Sequence, residues 1–490
     1  MKNALYLCGV VHRTSSTICC QILAAILFTA AAAPTRAAEA AGAPAAINPG
    51  VTRVLERFAK VRLFGAASLN WRNVGPREPG FETQIQNQVY LADMYLGASG
   101  PVTKDVPVNI EWNLPTAGRG APRLSQAYAE YNGVRRIKFQ LGKFMVPFGR
   151  YNELYRPDQY LAVTRPLLYA SPDSLDLVVR PNSPRPPVSY GYSDIGIRWS
   201  WYPVRVHPLV PSEITLFLVN GISEAKNRLR TFPNPSSLGI PGPGTNGVAP
   251  DFGHDNNNLA DNNNAKSMGG RIVFALGDLR LPWPVPERAA DLTGTHLGFS
   301  GMGGNYDLEG YLNYEMWSAD WSFDYHGISL SGEAIYSKNH FLSPMLAPNS
   351  TPSVPVLMST SSHTRQVEHL YGFFVQAAFP LMRTPPYGQR VTGLLVYNEM
   401  YRRGPLLDFL LNYNDGTTTF ESLTAYRPGA PFVTRRIRKY TGGLHWQLAD
   451  HFAAKFEYSY WVMGKSTIRS STSLGLNDIY QGAFSLVMGF

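Results

Sequence analysis

The nine residues that end the chain, Gly482-Ala483-Phe484-Ser485-Leu486-Val487-Met488-Gly489-Phe490, constrain the fold more than any other stretch. Phe484, Leu486, Met488 and Phe490 fall on one face of an extended segment, and Ala483, Ser485, Val487 and Gly489 on the other. Strict alternation of this kind predicts a β-strand with one large apolar face and one face of small residues. A soluble protein seldom carries such a strand at an exposed edge, because an unpaired apolar edge recruits other chains. A barrel in lipid requires it, since its last strand must close on its first and turn apolar side chains outward.

This ending resembles the C-terminal signature of Gram-negative outer-membrane proteins. The resemblance implies that Phe484, Leu486, Met488 and Phe490 form the signal read by the barrel-assembly machinery. The other end reads as an export signal over 1–37, with Lys2 and Arg13 before an apolar core at 22–33 and a small-residue cleavage site near Ala37. Residues 38–59, rich in Ala, would be a periplasmic lead-in. Cys8, Cys19 and Cys20, the three cysteines of the sequence, all fall in the signal segment. The exported part therefore offers no disulfide, thiolate metal site or haem-attachment motif, and no cofactor is expected.

After the signal, no stretch approaches the ~18 consecutive apolar residues that a membrane helix needs. A membrane protein without such helices has to be a closed barrel. Aromatic residues make up 12% of the chain and charged residues only 16%, a balance that suits a barrel with aromatic girdles. Without Lys2, Arg13 and Arg36 the chain holds 41 basic against 35 acidic residues, a net +6. That bias suits contact with outer-membrane lipid or lipopolysaccharide and is too small to argue for nucleic acid.

Alternating segments recur along 60–490: 61–71, 88–97, 106–113, 125–131, 135–143, 192–202, 212–220, 265–276, 293–299, 312–325, 327–338, 368–379, 390–401, 435–447, 451–462 and 482–490. The expectation is an all-β, transmembrane antiparallel β-barrel of about 16 strands, within 14–18. Counted from the N-terminal end, even connections are mostly short, as at Asn132-Gly133, while odd ones are mostly long, as at 144–189 and 221–264. Short turns at one end and long loops at the other are the mark of an outer-membrane barrel.

The connection after the fifth strand carries the clearest local signal. It opens Gly142-Lys143-Phe144-Met145-Val146-Pro147-Phe148-Gly149-Arg150, and the stretch resembles one found in porins of the phosphate-selective type and their relatives. The resemblance implies a porin, passing small polar solutes and anions among them, with this third external loop folded inward at about 144–189 and three copies forming a homotrimer. The lumenal arginine ladder of phosphate-selective porins cannot be traced here. Rings of charged side chains on a rigid loop set which ions pass. The candidate constriction is Arg136, Lys138, Lys143, Arg150, Glu153, Arg156, Asp158 and Arg165, with Arg136, Lys138 and Gln140 expected on the inward face of strand five. Glu111, Glu130, Asp320, Asp324, Glu333 and Glu457 are expected on the lumen wall and oppose the basic residues. These charges could equally brace an ordered plug.

Other features carry less. Asp255 and Asp261 each head an Asx-rich run and are calcium candidates, although such runs are more often plain turn chemistry. The glycine cluster 298–304 reads as strand packing and a loop tip. No nucleophile elbow or zinc-binding helix is present, so enzyme activity is not expected. One alternative to a porin is a barrel that sheathes or docks a protein partner, such as a multihaem cytochrome. A less favoured one is an outer-membrane enzyme.

Overall fold

The computed structural model describes residues 61–75, 87–114, 122–170, 188–189, 191–204, 207, 209–222, 266–276, 295–306, 312–325, 327–344, 363–381, 389–403, 436–463 and 478–490. The expected signal segment and lead-in lie outside these residues, as do Asp255 and Asp261.

Eighteen strands follow in chain order: β1 (Arg62–Gly75), β2 (Asn87–Thr103), β3 (Val106–Asn113), β4 (Arg123–Tyr131), β5 (Ile137–Met145), β6 (Tyr169–Ala170), β7 (Val188–Ser189), β8 (Ser193–Trp201), β9 (Glu213–Val219), β10 (Ser267–Ala275), β11 (His296–Asn305), β12 (Asn313–Tyr325), β13 (Ile328–Pro344), β14 (His363–Pro380), β15 (Arg390–Arg403), β16 (Arg436–Ala449), β17 (Phe452–Met463) and β18 (Asp478–Gly489). Sixteen of them close into a single antiparallel barrel, the number the sequence pattern predicts. The other two, β6 and β7, form a minimal parallel pair within the long connection between β5 and β8.

Closure works as the C-terminal pattern predicts. β18 pairs with β1 from Ala66↔Gly489 to Gly75↔Tyr480. Phe490 continues the ladder, its N–H donating to the Gly65 carbonyl and its carbonyl accepting from the Gly65 N–H, each at 3.0 Å. A Cβ on Gly65 would stand 2.5 Å from Cζ of Phe490, so only glycine lets the terminal ring lie across the seam. Met488 and Phe490 face outward, while Ala483, Ser485 and Val487 are buried within.

The outward face is apolar across its middle among the described residues, with Leu69, Phe139, Leu141, Ile197, Leu216, Ile272, Leu395, Phe456 and Tyr458 exposed on it. Towards the loop end, partners across the ladder set aromatic rings side by side. One row runs Trp317–Tyr336–Tyr371–Tyr401 and another Tyr397–Tyr440–Tyr460–Tyr480. Trp446, Phe452 and Phe490 lie towards the turn end. Aromatic girdles of this kind mark the two edges of a hydrocarbon slab. β2, β13 and β14, of 17, 17 and 18 residues, exceed the ~9–11 that span it, so they project beyond the bilayer.

Three local expectations are corrected. The glycine cluster 298–304 lies inside β11 rather than at a loop tip, because Gly301 leaves room for the Trp317 ring, 2.6 Å from where a Cβ would stand. The strands expected at 327–338 and 368–379 run on further, since β13 and β14 remain paired up to Pro344↔His363. The hairpin at Asn132-Gly133 spans 132–136: Ile137 N–H donates to Val134 O, Asn132 N–H donates to Asp105 O, and Arg136 takes a φ of 67°. β5 therefore begins after Arg136.

Candidate pore constriction

Residues 146–170, which follow β5, hydrogen-bond to inward-facing side chains of several barrel strands. The two ends of the connection between β5 and β8 are clasped by Asn152, whose Nδ2 donates to the carbonyls of Val146 (2.8 Å) and Tyr192 (3.0 Å) and whose Oδ1 accepts from Tyr192 N–H (2.7 Å). Val146 N–H also donates to Tyr192 O at 3.0 Å. The turn after Pro147 needs Gly149, which has a φ of 69° and whose missing Cβ would meet a Glu333 oxygen at 2.0 Å. That close approach lets Gly149 N–H donate to Ser300 Oγ on β11 (3.0 Å) and Tyr151 N–H to Glu333 Oε2 on β13 (3.1 Å).

Four residues further on, the loop has reached the far wall. The Tyr155 hydroxyl donates to Glu111 on β3 and accepts from Gln126 Nε2 on β4 at 2.7 Å. β3 and β13 stand eight places apart in a ring of sixteen strands and are therefore opposite each other. The loop is a crossbar hung between two buried wall glutamates. Glu333 is gripped from three directions, since it also accepts from the Tyr169 hydroxyl (2.5 Å) and Ser318 Oγ (3.1 Å). Burial, reinforced by Glu111 and Glu333 respectively, holds the phenols of Tyr155 and Tyr169 well above their ordinary range, so both stay protonated donors.

From Tyr155 to Tyr169 the chain packs against β2 and β15–β17. Lys455 Nζ donates to the carbonyls of Pro157 (2.6 Å), Tyr160 (2.5 Å) and Ala162 (3.3 Å), and lies over the Tyr160 ring. Glu457 accepts from the N–H groups of Val163 (3.0 Å) and Thr164 (2.8 Å) and pairs with Lys439 at 3.1 Å. Arg165 pairs with Asp93 at 2.9 Å, and Leu167 N–H donates to Asn398 Oδ1 at 3.2 Å. Beneath them, Tyr151, Tyr160, Tyr169 and Phe374 form an aromatic cluster with ring centroids 5.4–5.9 Å apart. Arg165, Asp93, Lys439 and Glu457 have side chains at most 1% exposed, so water is excluded from this part of the lumen.

Solvent reaches a different group. Arg198 on β8 sits 3.3 Å from Glu153 on the crossbar and 3.3 Å from Glu213 on β9, with side-chain exposures of 16%, 37% and 25%. Beside it, Arg150 places Nη1 3.0 and 2.9 Å from the two ring nitrogens of His296. His296 also meets Ser322 Oγ at 2.5 Å and Asp320 at 3.3 Å, and Asp320 takes a bidentate bond from Arg271. Burial pulls the Arg150 guanidinium below its ordinary pKa. On the seam side, Arg156 lies 3.4 Å from Asp158 and 3.8 Å from Glu111, over the Phe64 ring.

The sequence-predicted residues thus divide. Arg150, Glu153, Arg156 and Asp158 lie on the crossbar with at least one polar neighbour each. Arg165 and Lys143 are buried. Arg136 and Lys138 do not join them: Arg136 is in the exposed turn, and Lys138, 3.6 Å from Glu130, sits beside that turn at the other end of β5. Arg198, Glu213 and His296 were not singled out, although inward parity on β8, β9 and β11 would have found them. Among the described residues, no three His, Asp or Glu side chains converge as a metal site.

No family model matches the chain, and no curated protein matches it significantly. Among solved structures, it is similar to OprB of Pseudomonas putida (10% identity, 90% of this chain and 96% of that one, TM-score 0.47). It is also similar to the outer-membrane channel DcaP of Acinetobacter baumannii (10%, 88% and 97%, 0.44) and to an anion-selective porin from Comamonas acidovorans (9%, 88% and 99%, 0.44).

Proposed function

We propose that this chain is a passive outer-membrane porin, admitting small polar solutes, anions among them, along the wall formed by β8 and β9. The carrying observation is the crossbar: a loop anchored on opposite strands narrows the lumen yet leaves Glu153, Arg198 and Glu213 in contact with water. Two cations, Arg150 and Arg198, and two carboxylates, Glu153 and Glu213, border that path, with one of each on the crossbar and one of each on the wall. Such a field orients dipolar solutes and gives weak charge preference. A sheath for a folded protein partner is disfavoured, because the chain's own loop occupies the centre of the barrel. The homotrimer belongs to the same reading. The test is single-channel conductance of the refolded chain in a planar bilayer with a salt gradient. Discrete steps with a small anion bias are expected. A folded barrel that never conducts would overturn the reading.

A further inference from the structure

The outer wall carries a feature that a uniform lipid-facing surface lacks. Between β9 and β14 the outward positions Gly270, Gly301, Gly303, Ala319 and Ala334 are small, while Met268, Phe299, Trp317, Tyr336 and Tyr371 stand up around them. The result is an apolar groove of about 990 Å³ on the membrane face. It runs along the wall from Ile214 and Ile272 to Glu315 beneath the loop-end aromatic row, where its upper end meets the leaflet on that side.

Charged residues border that end of the groove. Glu315 lines it, with Lys338 3.9 Å away on β13. His369, the ladder partner of Lys338, meets the Tyr336 hydroxyl at 2.8 Å, and Arg403 is the ladder partner of His369 on β15. Arg436 and Arg438 continue the band outward on β16 around Glu399, with Arg436 2.7 Å from it. Four cations, Lys338, Arg403, Arg436 and Arg438, thus stand against two carboxylates, Glu315 and Glu399. All six project from the lipid-facing side, at the level where lipid headgroups meet the girdle. Charge on a lipid-facing wall is costly at mid-slab and cheap at the interface, where it can meet phosphate.

We propose that this face binds an anionic, phosphate-bearing lipid of the loop-end leaflet, with acyl chains in the groove and phosphate on Lys338 and Arg403. The proposal rests on the outer-membrane reading only for which leaflet supplies the lipid.

The test is native mass spectrometry of the refolded full chain from micelles doped with phosphatidic acid or phosphatidylcholine, with conductance recorded in parallel. Wild type is expected to retain phosphatidic acid selectively. K338A/R403A should lower retention roughly 25-fold, at about fivefold per cation. Ala334→Trp, which fills the groove and leaves the charges, should abolish it. None of these residues lines the lumen, so all variants should conduct like wild type. Loss of conductance in wild type would fail the porin reading separately. Equal retention of the two lipids, or retention indifferent to both variants, would overturn the lipid site. So would a second copy of the chain displaced by Ala334→Trp in place of lipid.

Discussion

Glu333 and Glu111 offer the sharpest test of the crossbar, because they hold its two ends on opposite walls. Glu333 accepts three hydrogen bonds, from Tyr151 N–H, Tyr169 OH and Ser318 Oγ, at 3.1, 2.5 and 3.1 Å. Ser318 belongs to β12, so two of these bonds hold the loop; at about 1.5–3 kcal/mol for each bond to a buried carboxylate, E333A removes about 3–6 kcal/mol of anchoring. Tyr169 and Leu167 still pack nearby, and Glu111 holds the other end, so the single variant should raise open-channel noise with little change in mean conductance. E111A frees Tyr155 in the same way. With both anchors gone, the span from Gly149 to Tyr155 keeps only the weaker contacts of Gly149 with Ser300, Arg150 with His296, Glu153 with Arg198 and Tyr155 with Gln126, and conductance should rise as the cross-section opens. The rise should exceed the sum of the single effects, since either anchor alone keeps the bar in place. Planar-bilayer recording on barrels of verified heat-modifiable mobility gives the readout. An E111A/E333A barrel that folds and conducts like wild type would refute the claim that this loop sets the bore.

Three further outcomes follow from named contacts. Arg198→Glu puts three carboxylates on the water-filled side, and the zero-current potential in a salt gradient should swing towards cations, while Arg403→Glu should leave it unchanged. Arg165→Ala strands the buried Asp93 charge and should cost about 3–5 kcal/mol, seen as a lower urea midpoint, whereas replacing both by apolar residues should cost less. Gly65→Val drives a branched side chain into Phe490 and the Tyr95 carbonyl, so the heat-modifiable folded band should form slowly or not at all.

The barrel was readable because alternation in strands such as β17 is set by lipid on one side and polar lumen on the other. Phe456 and Tyr458 are exposed, while Lys455, Glu457 and Ser459 are buried, as the pattern predicts. Period two was misleading only where local geometry intervened. Arg136 fits an inward position by counting, but its left-handed backbone assigns it to the turn. In β11, glycines supply no alternation to read. The constriction was half legible. The charged loop and the wall carboxylates Glu111, Glu333 and Glu457 could be placed in the lumen, but composition treats a charge as a contribution to the field. Only three-dimensional pairing reveals that these three are consumed in holding the loop. Arg198 was missed because its partners lie 45 residues before it and 15 after it, and no local motif joins them.

The crossbar also dictates an order in time. Its near end depends on β5 and β8, but Thr164 is fixed by Glu457, 293 residues later, and Leu167 by Asn398, 231 residues later. Contacts so distant in sequence form late, because the intervening chain must first be placed. The central obstruction therefore cannot settle until β15–β17 have joined the growing sheet. A nascent barrel passes through a stage in which the wall is nearly complete and the bore is at its widest. Sealing against leakage is then the last act of assembly, shared by the β1–β18 seam and a loop made long before it.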